Sequence, residues 1–196
     1  MKKKIFISSS AISSENIEDN ITFLAENGIT NIELSGGCSY SSDILKKLIN
    51  LKKKYNLEYL VHNYFPPPKD NFVLNIGSCD NRHYQKTIKF YKKSIDLCKK
   101  LNVKKYGIHA GFLIDLKTSE LNNKIKKREL YSKKESIKRL VNGYRVLKKY
   151  SKNKVNIYLE NNVITQKNLK EYRQNPLLLT CYTDYLNLKK KFSFNL

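Results

Sequence analysis

Glu58-Tyr59-Leu60-Val61-His62 decides the fold: it is a short apolar run that ends on an ionisable residue, and it returns as Lys105-Tyr106-Gly107-Ile108-His109. Lys4-Ile5-Phe6-Ile7-Ser8, Asn31-Ile32-Glu33-Leu34-Ser35 and Val155-Asn156-Ile157-Tyr158-Leu159-Glu160 are of the same kind. Between these runs lie longer stretches with apolar residues at helical spacing. Ser13-Ser14 reads as the cap of the first, with Ile17, Ile21, Phe23 and Leu24 as its face and Gly28 as its stop. The second runs from about Ser42 to Tyr55 with Ile44, Leu45, Leu48 and Leu51, and the others cover Asn81 to Leu101 and Lys133 to Tyr150. A short strand followed by an amphipathic helix, repeated along the chain, is the signature of βα units around a parallel sheet.

The connections say which end of the sheet matters. Long ones follow the third and fourth strands, through Pro66-Pro67-Pro68 and through residues 110 to 132, whereas the returns at 28 to 31, 56 to 58 and 102 to 105 are tight. In a βα barrel the loops after the strands form the working face. The expectation is therefore an α/β chain of the (β/α)8 TIM-barrel type, incomplete, with about five units. No linker of Gly, Ser and Pro divides its 196 residues, so it reads as one partial domain over 1–196. Leu177 to Cys181 would make a sixth strand only about 22 residues after the fifth began, while earlier strands are about 27 to 50 apart. The better reading places a helix capped by Thr183 or Asp184 there, running through Leu186, Leu188 and Lys191, and opens the sixth strand at Phe194-Asn195-Leu196. An open five-stranded sheet exposes unpaired edges, and association through them is expected.

The net charge of +21 suits an anionic partner, nucleic acid included. Nearly all of it is Lys, however, with Arg only at 82, 128, 139, 145 and 173, and the Lys is spread along every helix. That favours a solvated exterior over a reader of phosphates or grooves. Cys38, Cys79, Cys98 and Cys181 form no C-x-x-C pair, which fits a reduced, cytoplasmic setting. Met-Lys-Lys-Lys imitates the start of a signal peptide, but only Ile5-Phe6-Ile7 follows it before serines interrupt. No run approaches the roughly 20 apolar residues of a spanning helix, so no membrane partner is expected.

Ser8, Glu33, His62, His109 and Glu160 all mark the same end of their strands. A lone strand histidine reads as a hydrogen-bonded core residue or as a ligand. Repetition at adjacent strands, with Glu160 on the next, makes His62, His109 and Glu160 a set of N and O donors suited to Zn2+ or Mn2+. Glu160 follows Ile157-Tyr158-Leu159 directly and reads either as a ligand or as an acid anchoring Asn161-Asn162. Glu33 either joins that face or supports the Ser35-Gly36-Gly37 turn, which itself reads as a tight turn or as a phosphate cradle. Asn75 reads as a loop-fixing residue, and His83, opening a polar helix, as a surface one.

Asn31 to Gly37, Val61-His62-Asn63-Tyr64-Phe65-Pro66-Pro67-Pro68, Phe72 to Ser78, Ile108 to Phe112 and Leu159 to Asn162 together resemble the xylose-isomerase-like barrel superfamily. Within it they are most similar to bacterial sugar phosphate isomerases and epimerases. The resemblance implies a divalent metal (Mn2+, Zn2+, Co2+ or Mg2+), a sugar or sugar phosphate substrate and proton transfer beside a metal-polarised carbonyl. It places Glu160, the one residue of the epimerase metal set present, as ligand and catalytic group; His62 and His109 read as further ligands from their strand-end positions, and Glu33, Asn63, Tyr64, Asn75 and Asn162 as substrate-side residues. The superfamily also includes the endonuclease IV type of apurinic-site nuclease, whose zinc-binding His, His and Glu on strands three to five correspond to His62, His109 and Glu160. A zinc-dependent phosphodiesterase is thus the alternative, and an inactive truncated product a third reading. The chain departs from both patterns in lacking the Asp-x-x-His of strand six and the later His and Glu.

Overall fold

The computed structural model describes residues 4–121, 123–172 and 174–196; Met1 to Lys3 of the signal-like start, Asn122 and Arg173 lie outside them. Five parallel strands alternate with helices. They are β1 (Ile7–Ser8), β2 (Asn31–Leu34), β3 (Glu58–Val61), β4 (Lys105–His109) and β5 (Asn156–Glu160). The helices are α1 (Ile17–Glu26), α2 (Ile44–Tyr55), α3 (Asn81–Leu101), α4 (Lys133–Ser151), α5 (Gln166–Tyr172) and α6 (Tyr182–Lys189). The strand order is β1-β2-β3-β4-β5. A sheet wound in one direction with no reversal is the order of a βα barrel, whereas a doubly wound sheet turns back at a switch point. No described helix is long and apolar enough to cross a membrane.

The chain forms two compact units: Met1–Asn71 with Lys93–Tyr106 and Lys154–Asn156, and Phe72–Lys92 with Gly107–Asn153 and Ile157–Leu196. In the first, Ile7 and Ser8 pair with Ile32 and Glu33, Glu33 with Leu60, and Val61 with Tyr106. Strand alternation buries Ile32, Leu34, Tyr59 and Val61 on one side and leaves Glu33 and Leu60 half-buried on the other. Ile17, Ile21 and Leu24 of α1 and Leu48 of α2 are buried as the helical period requires. The tight helix-to-strand returns use left-handed residues, Asn56 at φ 51 and Asn102 at φ 59.

The second unit has its own core. Val73, Phe112, Ile114, Leu116, Ile125, Tyr172 and Leu177 form one buried cluster. Gly143 lets α4 approach Ile76, for a Cβ there would stand 2.7 Å from Ile76 Cγ1. The Tyr144 hydroxyl donates to the Ile157 carbonyl at 2.9 Å, tying α4 to β5.

Several expectations are corrected. The α1 cap is Asn16, whose Oδ1 accepts from the Glu18 N–H at 3.0 Å, while Ser14 Oγ accepts from the Asn16 N–H. Phe23 lies off the apolar stripe and is 54% exposed. β1 is shorter than Lys4 to Ser8, with Ile5 exposed. α5 was not expected; Asn168 justifies it by accepting from the Ile125 N–H and donating to the Asn123 carbonyl. Cys181, not Thr183 or Asp184, is the N-cap of α6; Asp184 instead accepts from the Thr180 N–H at 3.1 Å. The end of the chain follows the expected reading. Leu177 makes only an antiparallel bridge to Phe112, whereas Asn195 makes a parallel one to Tyr158 and accepts from the Leu159 N–H at 2.9 Å.

Candidate active site at the ends of β4 and β5

In the second unit His109 and Glu160 end neighbouring strands. His109 Nε2 lies 3.4 Å from Glu160 Oε2, with both side chains about one third exposed. The Ala110 N–H donates to the Glu160 carbonyl at 3.3 Å, so the backbone fixes the register that brings them together. Burial, reinforced by the charge of Glu160, pushes the Tyr91 phenol above its usual range.

Two buried asparagines support this pair. Asn75 is fully buried; its Oδ1 accepts from the N–H groups of Phe112 (2.8 Å) and Gly77 (3.0 Å). Its Nδ2 donates to the carbonyls of Phe112 and Ile114 and to Asp115 Oδ1 at 2.7 Å. Asn162 Nδ2 donates to the carbonyls of Gly111 (2.9 Å) and Leu178 (2.7 Å). Gly111, at φ +88, carries the turn between them, and a Cβ there would stand 2.8 Å from Asn75 Oδ1. Asn75 thus fixes loops: its amide, expected on the substrate side like that of Asn162, is directed at backbone and Asp115, and the amide of Asn162 is directed at backbone.

The same network holds residues that sequence reasoning passed over. Asp115 accepts from Ser78 Oγ (2.8 Å) and the Tyr131 hydroxyl (2.6 Å) as well as from Asn75. Burial and then Asp115 push Tyr131 up to about 12. His83, expected at the surface, donates from Nε2 to the Val73 carbonyl at 2.8 Å and packs edge-on to Phe72. Further along, Glu120 is buried and accepts from both Arg128 Nη1 (2.7 Å) and Nη2 (2.8 Å), and from the N–H groups of Lys117 and Lys126. The Arg128 bonds foremost, then the backbone donors, hold Glu120 down at about 2. Asp115 stands in a stretch without periodicity, so no pattern singled it out.

The remaining expected site residues lie in the first unit. Ser8, Glu33 and Leu60 are in register across three strands, and His62, half-buried two residues on, donates its N–H to the Leu34 carbonyl at 2.9 Å. Asn63 is buried and its carbonyl accepts from the Tyr106 hydroxyl at 2.8 Å. The Tyr64 hydroxyl donates to Asn71 Oδ1. Ser35 donates its N–H to Ser9 Oγ and Gly37 adopts φ +99, the geometry of a tight turn. Among the described residues no group of three or more His, Cys, Asp or Glu is arranged to hold a metal ion. His109 and Glu160 have the right donor chemistry for a divalent cation, but they are two.

A one-way βα sheet with an ionisable pair at the carboxyl ends of adjacent strands defines a protein of the (β/α)-barrel class. The chain belongs to the xylose isomerase-like TIM barrel family, whose sequence pattern matches residues 21–171. No curated protein matches it in sequence. Among solved structures it is similar to a D-tagatose 3-epimerase-like protein, with 18% identity and a TM-score of 0.69 over 97% of this chain and 61% of that one. It is similar to a 3-keto-D-glucoside 4-epimerase from E. coli, with 15% identity and a TM-score of 0.65 over 97% and 64%. Endonuclease IV from Thermus thermophilus shares 10% identity and a TM-score of 0.50 over 94% and 57%. The chain therefore spans about three fifths of the length of these structures.

Proposed function

We propose that this chain carries the first part of a sugar or sugar phosphate isomerase or epimerase site, with Glu160 as the carboxylate that holds and moves a proton on the carbon beside a carbonyl. The observation that carries the reading is the His109–Glu160 pair, 3.4 Å apart at the working end of β4 and β5. A carboxylate next to an imidazole is a competent acid–base couple, because one partner holds the proton that the other releases. The sugar epimerases of this fold lend the substrate class. When bound, a divalent cation held by His109 and Glu160 would polarise the carbonyl and stabilise the charge that develops on its oxygen. Asn75 and Asn162 hold the loops that follow His109 and Glu160, which keeps the pair in register during turnover.

The test is deuterium uptake from D2O, at the carbon beside the carbonyl, by a panel of ketoses and ketose phosphates incubated with the chain and Mn2+ or Co2+. Uptake that disappears in Glu160→Gln supports the reading. No uptake from any ketose, together with cleavage of a duplex containing an abasic site, would replace it with the phosphodiesterase.

A further inference from the structure

We infer that Gly107, in the middle of β4, is a positioning residue: its missing side chain is the notch in which the Glu160 carboxylate lies so that its other oxygen meets His109. A Cβ built on Gly107 would stand 2.1 Å from Glu160 Oε1, 2.6 Å from its Cδ and 2.8 Å from Tyr158 Cζ. Real Cβ atoms do not come that close, so with any other residue at 107 the carboxylate has to leave. Oε2 of the same carboxylate is the oxygen 3.4 Å from His109 Nε2. One oxygen therefore occupies the notch and the other reaches the imidazole.

Strand geometry explains the arrangement. Residues 107 and 109 share one face of β4, and 158 and 160 share one face of β5. The Ala110 N–H donates to the Glu160 carbonyl, which sets Glu160 level with His109 on the neighbouring strand and Tyr158 level with Gly107. Glycine inside a strand weakens it and marks a place where something approaches closely. Gly107 is not among the residues with positive φ, so backbone freedom does not account for it. Space does. Gly143 makes a contrast in the same unit, since the atoms its Cβ would meet belong to Ile76 and Ile88 of the core.

The inference rests on the proposed role of Glu160, and the experiment separates the two. Co2+ binding to the full chain is titrated for wild type, Gly107→Ala, Glu160→Ala, the double variant and Gly143→Ala, with thermal unfolding of each alongside. Gly107→Ala should weaken Co2+ binding about tenfold or more, as loss of a ligand's support does. The double variant should bind no more weakly than Glu160→Ala, and Gly143→Ala should melt earlier while binding Co2+ as wild type does. Wild-type affinity in Gly107→Ala overturns the inference. If wild type itself binds no Co2+, the metal reading fails and the melting cycle decides: Gly107→Ala should cost more with Glu160 present than in the Glu160→Ala background, and an equal cost in both overturns it.

Discussion

The strand ends of the first and second units both carry buried polar groups, but of different kinds. At β1 and β2 the groups are hydroxyls: Ser8 Oγ donates to Ser35 Oγ at 2.8 Å, and the Ser35 N–H donates to Ser9 Oγ at 2.9 Å. These bonds satisfy a turn and hold no charge. At β4 and β5 buried amides, Asn75 and Asn162, fasten three loops around an ionisable pair. A carboxamide offers two donors and an acceptor in a rigid plane and can bind backbone on both sides, which a hydroxyl does less well. The contrast suggests that the first unit's turn is built for closure, and the second unit's loops for holding charged side chains still.

Substitutions sharpen that contrast. Asn75→Ala should have the largest effect, about 4 kcal/mol in urea unfolding, because Asn75 is fully buried and its loss leaves the Phe112 and Gly77 N–H groups and Asp115 short of a partner. A cost near that of an exposed substitution would show that water replaces the amide. The second effect is on pH. Glu120 is held at about 2 in the folded chain against 4.5 unfolded, so its contribution is present above about 4.5 and is lost as pH falls towards 2. The loss should be on the order of 3 kcal/mol, visible as hydrogen exchange in residues 115 to 128 and absent in Glu120→Gln, while the serine turn stays indifferent to acid. Asn162→Ala should cost about 2 kcal/mol through the Gly111 and Leu178 carbonyls. Ser8→Ala should cost least, below about 1 kcal/mol, since Ser8 is only half-buried and one of its partners, Ser10, is exposed. If Ser8→Ala costs as much as Asn162→Ala in the same denaturation series, the two turns are not differently built.

The elements whose pattern is local were legible. Glu58 to Val61, Lys105 to His109 and Asn81 to Leu101 announce themselves by apolar spacing, and Asn195 pairs beside Tyr158 where strand spacing put the next strand. His109 and Glu160 were legible because each follows an apolar strand directly. What the pattern hides is whatever depends on distant partners. His83 looks like a polar helix start until Val73 comes back to meet it, and Asp115, Glu120 and Arg128 stand in an aperiodic loop. Gly107 was hidden for a related reason: the side chain that explains it is on another strand. The Ser14 and Asn16 caps were confused because both are good capping residues two positions apart, and only the Glu18 N–H decides between them.

The Glu120 clamp also governs how the chain meets proteases. Lys117, Lys124, Lys126 and Lys127 are exposed and offer trypsin four cleavage points in a dozen residues. A protease needs an extended, free backbone, and here the N–H groups of Lys117 and Lys126 are tied to one buried carboxylate that Arg128 grips from the other side. Cutting must wait for that carboxylate to let go, so nicking of this lysine-rich segment becomes a clock for the opening of the loop rather than a measure of its exposure.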